Sequence, residues 1–300
     1  MKVKALVVSI LAAFGLTGCD QLDLLGRRAG ASHNVSTPAL PLIQEAVSSL
    51  SPTFNGRRVP VLVNELCALA RNQITQQQAD AQLAGLGLPP ASLPRTGTDA
   101  LALLVNGDRA GQATACAAYQ AVAAVTPVNL QEVLRQVPDR SASHDNAAHH
   151  GAGDKATKAE AEAEVAKAPR WEVDLAVLNK LLPLRIAQAR ANAEAFAYIA
   201  EQLAATPGLS TDQYRAKARE LFSGLAPHYL DKVQQYLPAT GTKYELKSLK
   251  EGELGFSSDG GVQYLVSASK GLVFAQNGQL WYGKGLLMGR DYRVQVAYLK

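Results

Sequence analysis

The spacing of apolar residues predicts helices in the first third of this chain. Between residues 39 and 137, apolar side chains recur every three or four positions, as they do on one face of an amphipathic helix. Examples are Leu62, Leu66, Leu69 and Ile74 in one segment and Leu101, Leu104 and Val105 in another. Thr75-Gln76-Gln77-Gln78 is typical of a capping box and predicts a short helix ending near Gly85 to Gly87. We therefore expect residues 39–137 to form a compact helical domain.

A longer helical pattern begins after Trp171. Its apolar positions alternate between spacings of three and four, as in a coiled-coil seam. They are Leu175, Leu178, Leu182, Ile186, Ala189, Ala193, Phe196, Ala200 and Leu203. Pro183 is expected to kink this helix, a capping box at Ser210 to Gln213 opens a second one, and Pro227 is expected to begin another. Residues 171–238 should form an antiparallel helical hairpin, whose seam either packs within the chain or binds a partner.

Beyond Pro238 the apolar period becomes two, which predicts strands. The clearest alternation places Tyr292, Val294, Val296 and Tyr298 on one face. Asn277-Gly278 separates "LVFAQ" from "QLWYG", the pattern of a tight β-hairpin. We expect residues 239–300 to form four to six short antiparallel strands packed on the helical hairpin. The predicted fold class is α+β, with an N-terminal helical domain, a long helical hairpin and a small C-terminal antiparallel sheet.

Residues 138–170 have a different composition from the segments on either side. The stretch is rich in Ala, Gly, Asp, Glu and Lys and cannot bury enough apolar area to offset the entropy of ordering. We expect a flexible linker. His144, Asp145, His149, His150 and Asp154 lie within it, and imidazole with carboxylate could hold zinc or copper. A solvated polar segment is the favoured interpretation, because disordered chain must be ordered before it can coordinate a metal.

The first eighteen residues have the pattern of a secretory signal peptide. Lys2 and Lys4 precede an apolar run from Ala5 to Leu16 that is too short to cross a bilayer as a helix. Leu16-Thr17-Gly18-Cys19 resembles the lipobox of bacterial lipoproteins. The resemblance implies that Cys19 becomes the first mature residue and carries the lipid anchor. The alternative is an ordinary signal peptide followed by a chance cysteine.

Asp20 bears on the choice of membrane. In enteric members of the lipoprotein family, an aspartate in that place resembles the signal that retains the protein at the inner membrane, whereas the periplasmic face of the outer membrane is the alternative. Residues 19–38 contain few regular apolar repeats, so we expect a tether. Regular structure is expected to begin near Ala39.

The chain has three cysteines. If Cys19 is lipidated, Cys67 and Cys116 are left as one pair in a compartment that oxidises thiols. We predict a disulfide between them, and the alternative is two separately buried thiols. Removal of the signal leaves 28 basic and 26 acidic residues, a formal charge of +2, which is too small a bias to indicate nucleic-acid binding.

Two short stretches could carry chemistry. Ser267-Ala268-Ser269-Lys270 matches the Ser-x-x-Lys motif of penicillin-binding proteins and β-lactamases, but it ends a strand-like run and its partner motifs are missing. We therefore predict no catalytic residues, cofactor or metal. Trp281 and Tyr282 follow a hairpin turn, where aromatic residues usually fill the core face of a sheet. If they are exposed, they are candidates for binding a partner.

These observations favour a lipid-anchored periplasmic protein of the cell envelope that acts by binding another protein. It would be an accessory or assembly factor, or an immunity-type inhibitor of a periplasmic toxin. Its expected partners are the membrane, through the lipid on Cys19, and a protein of unknown identity. The alternatives are a cell-envelope hydrolase using Ser267 and Lys270, and a structural spacer between membrane and wall.

Overall fold

The computed structural model describes residues 33–96, 99–126, 129–137, 170–239, 241–250, 252–267 and 269–298. These residues form an α+β fold, which confirms the predicted class. The helices are α1 (Ala39–Leu50), α2 (Pro60–Ala70), α3 (Gln76–Gly85), α4 (Ala100–Asn106), α5 (Arg109–Val125), α6 (Leu175–Ala204) and α7 (Thr211–Tyr236). The strands are β1 (His33–Pro38), β2 (Leu134–Val137), β3 (Arg170–Val173), β4 (Tyr244–Lys250), β5 (Glu253–Ser258), β6 (Gln263–Ser267), β7 (Gly271–Gln276), β8 (Gln279–Tyr282), β9 (Leu286–Leu287) and β10 (Arg293–Tyr298).

Several predicted features lie outside the described residues. They are the signal peptide at residues 1–18, the lipidation and sorting positions Cys19 and Asp20, and the linker between residues 138 and 169 with its histidines. They stay predictions.

Helix α6 connects the two main hydrophobic cores. Its 30 residues carry two apolar stripes. One stripe, which includes Phe196 and Ile199, packs into the core formed with α1, α2, α5 and α7. The other, which includes Leu182 and Ile186, packs against buried residues of the C-terminal sheet. Apart from Leu175, which is 45% exposed, the predicted seam is buried within the chain.

The N-terminal helices and the α6–α7 hairpin share one core, so the predicted linker does not separate two independent domains. Ile43 of α1 and Ala117 of α5 lie in the same cluster as Ile199 and Phe222. These helices assemble because each has an apolar face that only the others can cover. The chain leaves the described body at Val137 and returns at the residue paired with it in the β2–β3 ladder, Arg170. Residues 134–137, predicted as part of the helical domain, therefore form β2. Residue 170, predicted as linker, and residues 171–173, predicted as part of the hairpin, form β3, because these two segments pair with each other.

A third hydrophobic cluster joins α2, α3 and α4. Leu66, Leu83 and Leu104 are fully buried in it. Helix α3 begins with the predicted capping box at Thr75, in which the side chains and backbone N–H groups of Thr75 and Gln78 satisfy each other. A disulfide joins α2 to α5 through Cys67 and Cys116, the pairing predicted from the cysteine count.

The six strands from β4 to β9 form an antiparallel meander in sequence order, within the predicted range of four to six. Strands β7 and β8 are joined by the predicted two-residue turn. Asn277 and Gly278 there have φ angles of 53° and 73°. Positive φ at both central residues is the requirement of the type I′ turn, which matches the right-handed twist of the flanking strands.

Two predictions at the ends of the chain are wrong. Residues 33–38, assigned to the tether, form β1, so regular structure begins before Ala39. Strand β10, assigned to the meander, pairs with β1 instead. The reason is that Val294 and Val296 of β10 are buried in the core of the helices, where the backbone of that strand needs a partner of its own.

The prediction that Pro227 begins a new helix is also wrong. It lies inside α7, which continues from Thr211 to Tyr236. Proline removes one backbone hydrogen bond from the helix. The buried stripe of α7 nevertheless continues through Ala226, Tyr229 and Leu230, so tertiary packing holds the helix through this position.

Candidate binding groove

A groove runs along the exposed side of α6, between α7 and the β7–β8 turn. Arg190, Glu194 and Tyr198 are four residues apart on α6 and therefore share one face of the helix. Glu194 lines both of two cavities in this groove, which measure about 210 Å³ and 80 Å³. We call this surface the Glu194 groove.

Glu194 is held by two residues of α7. The hydroxyl of Tyr236 donates a hydrogen bond to its carboxylate. Nζ of Lys232 lies 3.5 Å from Glu194 Oε2. Burial, followed by the bond to Glu194, raises the pKa of Tyr236 to about 12, so this hydroxyl keeps its proton and continues to donate well into the alkaline range. The carboxylate is thus fixed in position with its charge partly balanced.

Arg190 connects this cluster to the sheet. Its guanidinium carbon lies 4.3 Å from the centre of the Tyr236 ring, the geometry of a cation–π contact. Nη2 donates to Oε1 of Gln276 at 3.2 Å, while Nε is buried without a hydrogen-bond partner in the described part of the chain. The smaller cavity lies here, between Arg190, Gln276 and Trp281.

The larger cavity has an apolar floor and a polar rim. Ala191, Ala195 and Leu225 line it from α6 and α7, and His228 and Lys232 stand on its α7 side. Tyr198 lines it as well and is 45% exposed. An apolar cavity of about 150 Å³ holds a benzene molecule, so a volume of about 210 Å³ accommodates one large side chain of a partner.

A buried polar network lies beneath the groove. Asn192 is completely buried, and its Oδ1 accepts a hydrogen bond from the Tyr229 hydroxyl at 2.9 Å. Its Nδ2 donates to the carbonyl of Ala121 in α5 at 3.0 Å and to that of Gly283 at 3.5 Å. Burial raises the pKa of Tyr229, so its hydroxyl stays a donor further into the alkaline range than a solvated tyrosine would. One amide thereby connects α5, α6, α7 and the chain after β8.

Replacing Tyr229 by phenylalanine should destabilise the protein by about 1–3 kcal/mol, because Asn192 Oδ1 then becomes a buried acceptor without a donor. Urea denaturation followed by circular dichroism measures this loss. Tyr198→Phe is the matched control, since Tyr198 is exposed. Equal unfolding midpoints for the two variants would show that the buried bond contributes nothing.

The predicted aromatic pair is divided between the two faces of β8. Trp281 is half-buried, packs against both main cores and lines the Glu194 groove. Tyr282 is the next residue of the strand, so its side chain projects from the opposite face and does not line the groove. The structure thus brings Trp281, but not Tyr282, to this surface.

The structure gives the Ser-x-x-Lys segment a turn geometry. Ser267 is buried, and its Oγ accepts a hydrogen bond from the backbone N–H of Lys270 at 2.9 Å. Nζ of Lys270 lies 3.8 Å from Oε1 of Glu253. No hydrogen bond joins the Ser267 hydroxyl to the Lys270 amine, both of which belong to the described residues. The two groups are therefore not arranged as a nucleophile and its base.

Sequence reasoning missed the centre of the groove. The helical seam drew attention to the buried side of α6, whereas Arg190, Glu194 and Tyr198 lie at i, i+4 and i+8 on another side. On α7, Leu225, His228 and Lys232 have a similar spacing. The available signal was the repeat of polar and aromatic residues at helical spacing on α6, together with His228 and Lys232 on α7.

Among the helices of the described ranges, none is long and apolar enough to cross a membrane. The same ranges contain no cluster of three or more histidine, cysteine, aspartate or glutamate residues that could hold a metal ion.

The groove lies on a helical hairpin with an antiparallel sheet on one side, and it presents a mixed apolar and charged surface. The chain matches no protein-family model, no curated protein and no solved structure.

Proposed function

We propose that this chain is a lipid-anchored periplasmic protein of the cell envelope and that it binds another protein through the Glu194 groove. The observation that carries the proposal is the groove itself, in which an apolar cavity is bordered by fixed charges and by an exposed tyrosine. Protein interfaces typically have an apolar centre and a polar rim. Aromatic residues and arginine are enriched among the residues that contribute most to binding.

The proposed location rests on the N-terminal sequence. Leu16-Thr17-Gly18-Cys19 resembles a lipobox, and lipid on Cys19 would anchor the chain, with Asp20 favouring the inner membrane. The disulfide between Cys67 and Cys116 is consistent with an oxidising compartment. Thirteen residues separate Cys19 from His33, the first residue of β1, so a fully extended chain places these two residues at most roughly 50 Å apart. The body would therefore act close to the membrane surface.

Binding would use two features of the groove. A large apolar or aromatic side chain of the partner would enter the cavity of about 210 Å³ over Ala191 and Leu225. Polar groups around that side chain would meet Glu194, His228 and Lys232. Because Tyr236 and Lys232 already hold Glu194, little side-chain entropy would be lost at that carboxylate on binding.

Photo-crosslinking in intact cells tests this proposal. A photoreactive phenylalanine analogue at Tyr198 should give a discrete adduct with one protein, because this position borders the cavity. The same analogue at Leu249, which is 43% exposed on the edge strand β4, is the control and should not give that adduct. Glu194→Gln, combined with the analogue at Tyr198, should weaken the adduct several-fold.

Membrane fractionation tests the anchor separately. The wild-type chain should sediment with membranes and incorporate labelled palmitate, and Cys19→Ser should lose the label because the thiol that accepts the lipid is gone. A lipidated chain that gives the same adducts from Tyr198 and Leu249, or none from either, would overturn binding at the groove. A wild-type chain that carries no label, or a Cys19→Ser chain that still carries it, would overturn the anchor and leave the groove result unaffected.

A further inference from the structure

A third cavity, open to solvent and lined mostly by exposed residues, lies where α2, α5 and α7 meet, and its volume is about 520 Å³. Pro227, Leu230, Asp231 and Gln234 line it from α7, whereas the Glu194 groove uses Leu225, His228 and Lys232 of the same helix. At 100° per residue these two sets lie on nearly opposite sides of α7. The cavity is therefore separate from the groove, and its volume falls in the range typical of small-molecule sites.

Three charged side chains line this cavity without an ion-pair partner among the described residues. They are Arg71 at the end of α2, Arg109 at the start of α5, and Asp231 on α7. Nε of Arg71 is buried and has no hydrogen-bond partner in the described part of the chain. Burial also lowers the pKa of Arg71. Arg71 is partly exposed, and Arg109 and Asp231 are exposed, so only the Nε–H of Arg71 has lost water without gaining a partner. An anion beside this guanidinium would be favourable.

The walls of the cavity carry two further kinds of group. Ala70, Ala113 and Leu230 present apolar surface. Gln73 and Gln234 add side-chain amides, which can donate or accept hydrogen bonds. The two arginines suit a carboxylate, the aspartate on α7 suits an ammonium group, and the apolar walls suit an aliphatic side chain.

We propose that this cavity binds a short peptide in its zwitterionic form, with the carboxylate between Arg71 and Arg109 and the ammonium group facing Asp231. A simple anion would leave Asp231 unpaired and the apolar wall uncovered. A dipeptide with an aliphatic side chain satisfies all three features and is small enough for the volume. The site is independent of the function proposed for the Glu194 groove.

Isothermal titration calorimetry on the purified full-length protein in detergent micelles tests this assignment. The probes are the dipeptide Ala-Leu, its C-terminal amide, its N-acetyl derivative and inorganic phosphate. Ala-Leu should bind, and each blocked form should bind at least roughly tenfold more weakly, because each loses one charge-assisted contact. Binding of phosphate as tight as that of Ala-Leu would overturn the peptide assignment, and so would no detectable binding of Ala-Leu.

Variants then locate the site. Arg71→Gln and Arg109→Gln should each weaken Ala-Leu binding by roughly tenfold. Arg95→Gln should leave it unchanged, because Arg95 is exposed like Arg109 but does not line the cavity. Asp231→Asn should weaken Ala-Leu but not its N-acetyl derivative. Equal weakening of both ligands by Asp231→Asn, or an equal effect of all three arginine variants, would overturn the proposed orientation. Unfolding midpoints, measured alongside, identify any variant that loses binding through misfolding.

Discussion

Gly285→Ala is expected to destabilise the protein by roughly 3–5 kcal/mol, because the new side chain meets both backbone strain and a steric clash. Gly285 has a φ of 106°, a conformation that residues with a Cβ rarely adopt. A Cβ added there would lie 2.6 Å from the backbone oxygen of Asn192 and closer still to Cβ of Phe196. Both atoms belong to α6, so the sheet would have to move away from that helix.

Thermal and urea unfolding of purified Gly285→Ala measure this loss. Gly289→Ala is the matched control, because Gly289 also has a positive φ, 82°, but its Cβ would meet no atom within 4 Å. The control should lose only the conformational cost, about 1–2 kcal/mol. If the two variants were equally stable, the close approach of the chain to α6 would contribute nothing.

The C-terminal strands show which features the sequence could predict and which it could not. Alternation around Tyr292 and the Asn277-Gly278 turn identified strands, because period and turn chemistry are local properties. The partner of β10 was not predictable, because β1 lies more than 250 residues earlier in the chain and only tertiary packing brings the two together. Similarly, "WYGKG" reads as a turn, while the reason for its glycines is the nearby surface of α6.

Predicting the groove from the sequence would also have required knowledge of contacts between distant parts of the chain. Trp281 was found from the sequence, since an aromatic residue after a hairpin turn is a local signal. Its neighbours Arg190 and Glu194 were not, because their meeting depends on how α6 packs against both α7 and the sheet. The cysteine pairing was predictable because the third cysteine was assigned to the lipid, and no geometry was needed.

The Cys67→Ala/Cys116→Ala double variant is expected to lose roughly 4 kcal/mol of unfolding free energy. The bond closes a loop with a sequence separation of 49 residues, and a loop of that size has a large closure entropy in the unfolded chain. Urea denaturation under non-reducing conditions measures the loss. The reduced wild-type protein separates the contribution of the cross-link from that of side-chain packing, because it lacks the bond but keeps both sulfur atoms in the core. Cys19→Ser is the control and should leave the midpoint unchanged.

Removal of the disulfide should also destabilise some helices more than others. Helix α2 carries one side of the third cluster, and α3 and α4 pack against α2 and each other, with α4 also touching α5. The disulfide ties α2 directly to α5, whose buried alanines lie in the main core. Hydrogen exchange should therefore accelerate most in α2, α3 and α4 on reduction, and least in α6 and α7. Uniform acceleration across all helices would mean that the bond stabilises the whole core rather than the attachment of this one cluster.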